Sequence, residues 1–464
     1  MRMISGTLAL IVAMSTAMPP GLSFDGGSKD AVPQVNNPKT GHSRNRRLRK
    51  WQPGQLDMHH MYVGSSVSTF VILPDSTTIL IDAGDLNATR FTQSRLARQI
   101  EAIDVFPNDS FTPAGWIVQY LLDFAPASAH RRQPKRKAHQ HQLLHIDYLI
   151  ITHFHADHVG EPEARSKKSP SGTYTLAGVP EVAQHVSFGT LIDRGYPLYD
   201  YPKLLRTGGD STFENYVRWL DQAVREGMHA QRFEVGRDDQ ITMRHKPSAF
   251  PGFRVRNIKR DMSFSRATPD DRSVHTIPGS VLDADREFNE NFVSLGMVMH
   301  YGDFAYYEGG DQDSRKVNGL LIDTVTPVAS AAGRVDVATL NHHGHGMNAA
   351  LMRDMDPRVM VVQGWAGDHV PTSSMQVIAE TTSEQQPRDI FATHIHEKRL
   401  RELGQLANLF TSTAGHVVVR VYPPGSQPSD PKVTATQPYE VFVLDANRKV
   451  VESRAYTATH KLDA

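Results

Sequence analysis

The chain has no cysteine in 464 residues. Disulfides and thiolate metal ligands are therefore excluded. Any metal ion must be held by imidazole and carboxylate, the ligand set of catalytic rather than structural zinc sites. Charge of one sign is also missing: 50 Lys+Arg stand against 50 Asp+Glu. That balance demands neither a nucleic-acid nor a membrane partner. Long hydrophobic runs are absent too. The run from Ile4 to Met14 is too short for a comfortable membrane span. It follows Arg2 and precedes the small residues Ser15, Thr16 and Ala17, then Pro19 and Pro20. This pattern predicts a secretory signal peptide over residues 1–23 and an exported product.

What the chain does have is concentrated between Ile151 and Gly160. His153, His155, Asp157 and His158 fall within six residues, directly after the apolar run Tyr148–Ile151. That run is short, partly β-branched and apolar on both faces, so it reads as a buried strand. Alternate residues of an extended segment share a side, so His153 and His155 converge. Asp157 and His158 begin the next turn or helix and aim at a second point nearby. Such ligands suit zinc and related dications. Four ligand-type side chains behind a core strand are hard to explain as a polar loop of satisfied histidines.

The pattern His-x-His-x-Asp-His after an apolar strand resembles the signature of the metallo-β-lactamase fold superfamily. Further stretches resemble the branch containing the hydrolase domain of competence DNA-internalisation proteins and the phosphorylcholine esterases. Thr78–Gly84 reads as a buried strand ending in Asp-Ala-Gly. The resemblance gives Asp82 the task of steadying the metal-binding loop, an outer partner of the kind that histidine ligands need. The strand Phe304–Tyr307 leads into Glu308-Gly309-Gly310-Asp311, which makes Asp311 the bridging ligand. Val335–Leu340 leads into Asn341-His342-His343-Gly344. The paired histidines would bind metal, hold a phosphate oxygen or protonate a leaving group, and the sequence does not divide these roles. Trp365 to Pro371 contains His369, which the resemblance places at the second metal with Asp157, His158 and Asp311. A further histidine for the first metal is expected but has no recognisable context; His185, His229, His245, His275 and His300 are available.

The resemblance implies an α/β four-layer αββα sandwich, with the site where strand-end loops meet at one sheet edge. The hydrolase domain spans residues 55–410, with a long insertion at about 161–289. Before it, residues 24–54 read as a linker ending in a basic run, Arg44 to Lys50. After it, residues 411–464 read as a small C-terminal β appendage. Pro113–Phe124 is a predicted helix with proline in its first turn. The basic, His-rich segment from His130 to His141 is an expected loop. Arg131 to Lys137 within it motivates a subsidiary idea of nucleic-acid contact.

Two dications, with zinc expected, would share a hydroxide that attacks a phosphoester or phosphodiester. The metal ligands are then His153, His155, Asp157, His158, Asp311, His342 and His369. Asp157, His342 and His343 carry the chemistry. Two alternatives stand: a lactone or amide hydrolase on the same fold, and a metal-free binding module.

Overall fold

Short β-branched runs bounded by Gly, Pro and Asp fold as strands, and the amphipathic runs between them as helices. A computed structural model describes residues 46–86, 103–130, 143–162, 166–202, 205, 211–265, 273–284, 289–426 and 437–459. In chain order the strands are β1 (Leu56–His60), β2 (Thr69–Ile72), β3 (Thr78–Ile81), β4 (Leu144–Ile150), β5 (Val186–Asp193) and β6 (His229–Arg232). Then come β7 (Phe253–Arg260), β8 (Ser263–Ser265), β9 (Val274–Thr276), β10 (Gly296–Tyr301), β11 (Phe304–Glu308), β12 (Ser314–Val317) and β13 (Leu320–Asp323). The last are β14 (Val337–Thr339), β15 (Val359–Val362), β16 (Asp389–Ala392), β17 (Phe410–Ser412), β18 (His416–Val421), β19 (Pro438–Leu444) and β20 (Val450–Thr457).

Two nine-stranded mixed sheets result. One runs β20-β19-β18-β1-β2-β3-β4-β5-β6, the other β17-β16-β15-β14-β11-β10-β7-β8-β9. β12 and β13 form a separate hairpin. The period of two decides what each strand buries. On β2, Val71 faces the core between the sheets, while Phe70 and Ile72 face helices outside. On β3, Ile79 and Ile81 face in and Leu80 out. The inner core adds Met297, Met299, Tyr306, Val359 and Phe391 from the second sheet. Helix α1 (Pro113–Phe124) covers the outside of the first sheet with Ile117, Tyr120 and Leu121. Thr112 Oγ1 caps it by accepting from Gly115 N at 3.0 Å, a bond that contributes about 1 kcal/mol. Later helices cover the second sheet through Val328, Met352 and Met375. The architecture is therefore the four-layer αββα sandwich.

Three boundaries differ from the sequence expectation. The C-terminal strands are not an appendage: β18 pairs with β1 along its length, and β19 and β20 extend the same sheet. Asp57 and Arg420 face each other across that pairing, joined at 2.8 and 2.6 Å and almost wholly buried. The interval 161–289 is not an insertion outside the sandwich, because it supplies β5 and β6 to one sheet and β7 to β9 to the other. The basic run before Trp51 is tied down at its end: Arg47 bridges to Lys449 and Leu48 is buried. The signal peptide, Arg44, and the basic segment Arg131 to Lys137 lie outside the described residues.

Candidate metal centre

β3 ends at Ile81, and Asp82 follows with a left-handed φ of 57°. Asp is among the few residues that adopt this conformation readily. The turn aims its carboxylate back at the loop after β4. Oδ1 accepts from Thr152 N at 2.8 Å. Oδ2 accepts from Thr152 Oγ1 and from His158 Nδ1, both at 2.7 Å. His158 thus carries its proton on Nδ1, and Nε2 turns toward the site. A side chain at Gly84 would place Cβ 1.7 Å from the Asp157 carbonyl oxygen. Only glycine lets the two loops come this close.

After β4 the chain stays extended through His153 and His155, then forms the short helix α2 (Ala156–Val159). The extended part sets the two histidines side by side, with His153 Nε2 3.1 Å from His155 Nδ1. The helical turn points Asp157 and His158 elsewhere. From the other sheet, Gly310 and Asp311 follow β11, and Asp311 N donates to Ser294 Oγ at 3.2 Å. Asp311 Oδ2 lies 3.7 Å from His153 Nε2 and 3.4 Å from His158 Nε2. Two groups capable of holding an ion share Asp311: His153, His155 and Asp311, and Asp157, His158, Asp311 and His343; a third group, His345, Asp368 and His369, does not include it. Within each group the ligand atoms lie within 4.8 Å of one another.

The paired histidines divide in a way the sequence leaves open. His342 and His343 both have left-handed backbones, with φ of 50° and 52°. Such conformations cost of order 1–3 kcal/mol each and persist where their surroundings impose them. Here they turn the two rings to different partners. His343 Nδ1 donates to the Gln363 carbonyl at 2.8 Å. Its Nε2 then faces Asp157 Oδ2 at 3.0 Å and Asp311 Oδ2 at 3.4 Å. His342 Nε2 instead accepts from Asn291 Nδ2 at 2.9 Å. His343, and not His342, therefore joins the ligand group, which corrects the expectation for His342.

His369 does not group with Asp157, His158 and Asp311 but with His345 and Asp368. Its Nδ1 accepts from the backbone N–H of Trp365 at 3.1 Å and of Ala366 at 3.3 Å. In the neutral ring the proton then sits on Nε2. The ring stacks on His343 at 4.3 Å and neighbours His345 and Asp368. Among the described residues, His185, His229, His245, His275 and His300 join none of these groups. His394 bonds Tyr62 Oη at 3.0 Å, and His396 caps a later helix. One partner was not singled out from the sequence: Trp365 Nε1 donates to Asp157 Oδ2 at 3.0 Å. Its only sequence signal is a tryptophan in a strand-end loop.

The donor set fits a dication on two counts. His158 Nε2 is buried without a hydrogen-bond partner, 3.5 Å from Asp157 Oδ2 and 3.4 Å from Asp311 Oδ2. The charge pattern agrees. Burial opposes an imidazolium at His158, but Asp311, Asp157 and Asp82 outweigh it and hold its pKa well above the usual range. Burial likewise opposes charge on His343, and Asp311 with Asp157 pushes it up to about 10. Burial disfavours the Asp157 and Asp311 carboxylates, yet His158 holds both well below the usual carboxylate range. Two carboxylates here keep positive charge beside them, which a bound ion supplies in place of protons.

No family model matches the chain, and no curated protein matches its sequence. Solved structures of related shape include the crystal structure of the metallo-beta-lactamase fold protein YhfI from Bacillus subtilis. It is 9% identical, with a TM-score of 0.30, and the match covers 78% of this chain and 95% of that one.

Proposed function

We propose that this chain is an exported, metal-dependent hydrolase of phosphoester or phosphodiester bonds, with two zinc ions as its cofactors. One observation carries the metal-dependent part: Asp311 Oδ2 lies within 3.7 Å of imidazole nitrogens from both ligand groups. His153 and His155 would hold one ion and Asp157, His158 and His343 the other, with Asp311 between them. When bound, such ions acidify water and offset negative charge that develops on the substrate.

The remaining work falls to the protein. Asp82 fixes His158 with Nε2 inward, and the Gln363 carbonyl does the same for His343. Trp365 orients Asp157. Beside the ligands, His369 presents an Nε2–H. His342, with Nε2 occupied by Asn291, presents an Nδ1–H. Burial brings the His342 pKa down to about 3, so it is neutral and a donor at pH 7. Two neutral donors fixed next to a cationic centre suit the oxygens of a phosphoryl group. Among the described residues no helix is long and apolar enough to cross a membrane.

The test is zinc analysis of the purified chain, followed by turnover of an aryl phosphodiester and of a lactone. Two bound zinc ions and phosphodiester turnover are expected. Turnover of lactones alone would overturn the substrate class, and absence of bound zinc after incubation would overturn the metal-dependent reading. Export is checked by fractionating expressing cells, with the chain expected outside the cytoplasm.

A further inference from the structure

The stretch Asp193-Arg194-Gly195-Tyr196-Pro197 closes β5 and takes no part in ligation, yet it holds a wholly buried guanidinium. Asp193 sets the turn. Its Oδ1 accepts from Gly195 N at 2.9 Å and Tyr196 N at 2.8 Å, and its Oδ2 from Tyr199 Oη at 2.7 Å and Tyr216 Oη at 2.8 Å. Arg194, 1% exposed, is thereby pointed inward. Nε donates to Glu290 Oε2 at 3.0 Å, and Nη2 donates to Glu290 Oε1. Nη1 donates to the Tyr201 carbonyl at 3.0 Å and to Asp261 Oδ1 at 3.3 Å. The flat of the guanidinium lies 4.9 Å from the centroid of the Phe154 ring.

These contacts reach the ligands from two sides. Phe154 stands between His153 and His155 in the chain, so the stacked guanidinium pins the loop that carries both. Glu290 opens the turn 290–293. That turn holds Asn291 against His342 and leads to Ser294, whose Oγ receives the Asp311 N–H. A buried lysine braces the same turn: Lys259 Nζ donates to the Phe292 and Ser294 carbonyls at 2.7 and 2.8 Å. Arg194 follows a strand of the first sheet, whereas Asp261 and Glu290 flank strands of the second. The ion pair therefore crosses the seam between the sheets, and the ligands of the first group, His153, His155 and Asp311, come from both sides of it.

We infer that Arg194 is a positioning residue for the first ion, fixing the spacing between the His153–His155 loop and Asp311. This role rests on the site holding dications. A planar fork suits it: bidentate pairing with Glu290 and stacking on Phe154 use the shape of arginine, and lysine reproduces only the charge.

The test uses the full chain stripped with a chelator and titrated with Co²⁺, followed by visible absorption and calorimetry. Arg194→Met is compared with Arg420→Met, which removes the cation of another buried pair away from the ligands. Both lower the melting temperature. Arg194→Met is expected to weaken one of two Co²⁺ binding steps about ten- to hundredfold, the range for outer partners of metal ligands, and to change the absorption band of that ion. Arg194→Lys is expected to fall between, and it decides the matter if Arg194→Met fails to fold. Arg420→Met is expected to leave both steps as in wild type. Equal loss of binding in Arg194→Met and Arg420→Met, or two unchanged steps in Arg194→Lys, overturns the inference. A wild-type chain that binds no Co²⁺ overturns instead the metal-dependent reading, and this role with it.

Discussion

Asp82→Asn isolates a single proton. The amide keeps the size of the carboxylate, and Asn tolerates the left-handed backbone at this position as Asp does. What changes is the acceptor count. Three donors, Thr152 N, Thr152 Oγ1 and His158 Nδ1, now converge on two oxygens. With Asn, an NH₂ replaces one of them. If it replaces Oδ2, His158 must give up the Nδ1 proton and keep one on Nε2, the nitrogen that faces the carboxylates. Binding an ion then requires the proton back on Nδ1, against an N–H of the new amide. If it replaces Oδ1, the buried Thr152 N–H loses its partner and the loop shifts to recover one. Either conflict costs about 1–3 kcal/mol, which corresponds to roughly a ten- to hundredfold loss of affinity. We expect that loss in a zinc competition titration, with the far-ultraviolet spectrum unchanged. Zinc affinity within about twofold of wild type would refute the view that Asp82 sets the tautomer of His158.

The same titration should separate the paired histidines, with His343→Ala binding less zinc than His342→Ala, which keeps its full complement; the reverse order would contradict the ligand assignment. Arg420→Met leaves the buried Asp57 carboxylate without its guanidinium partner, and should destabilise the fold by about 3–5 kcal/mol in urea denaturation. The acid limb of stability should show the same pair. Burial works against the Asp57 carboxylate, but Arg420 prevails and brings its pKa down to about 2. Its contribution, roughly 2 kcal/mol, is complete above pH 4 and disappears as pH falls toward 2; Asp57→Asn should flatten that part of the profile. Gly84→Ala would press a methyl carbon into the Asp157 carbonyl, so zinc retention by that variant should drop even where the chain still folds.

The sequence carried most of what is local. His-x-His-x-Asp-His, Asp-Ala-Gly and Gly-Gly-Asp each combine a strand end with a turn, and a few adjacent residues decide where such side chains point. α1 was legible for a similar reason, since its first-turn proline lies within the segment itself. The division between His342 and His343 was not, because both residues adopt a backbone conformation that their side chains do not favour. The role of His369 depended on which nitrogen meets the backbone of Trp365 and Ala366, a matter of loop geometry. β7 was hidden by composition. Phe253, Val255 and Ile258 are buried, but Arg254, Arg256, Lys259 and Arg260 lie between and after them. Lys259 is fully buried in that strand and satisfied by carbonyls from a distant turn, which no pattern of hydrophobicity would anticipate. The C-terminal strands were read correctly as strands and placed wrongly, since their partner lies at the other end of the chain.

That last pairing has a bearing on how the protein is made. One edge of β1 is matched by β18, some of whose residues are more than 350 positions later in sequence, as in the bond from Arg420 to Asp57. A ribosome will have released everything between β1 and β18 before that edge is closed. The nascent polypeptide should therefore remain protease-sensitive until β18 emerges, and chains truncated before His416 should accumulate as aggregates through the uncovered edge.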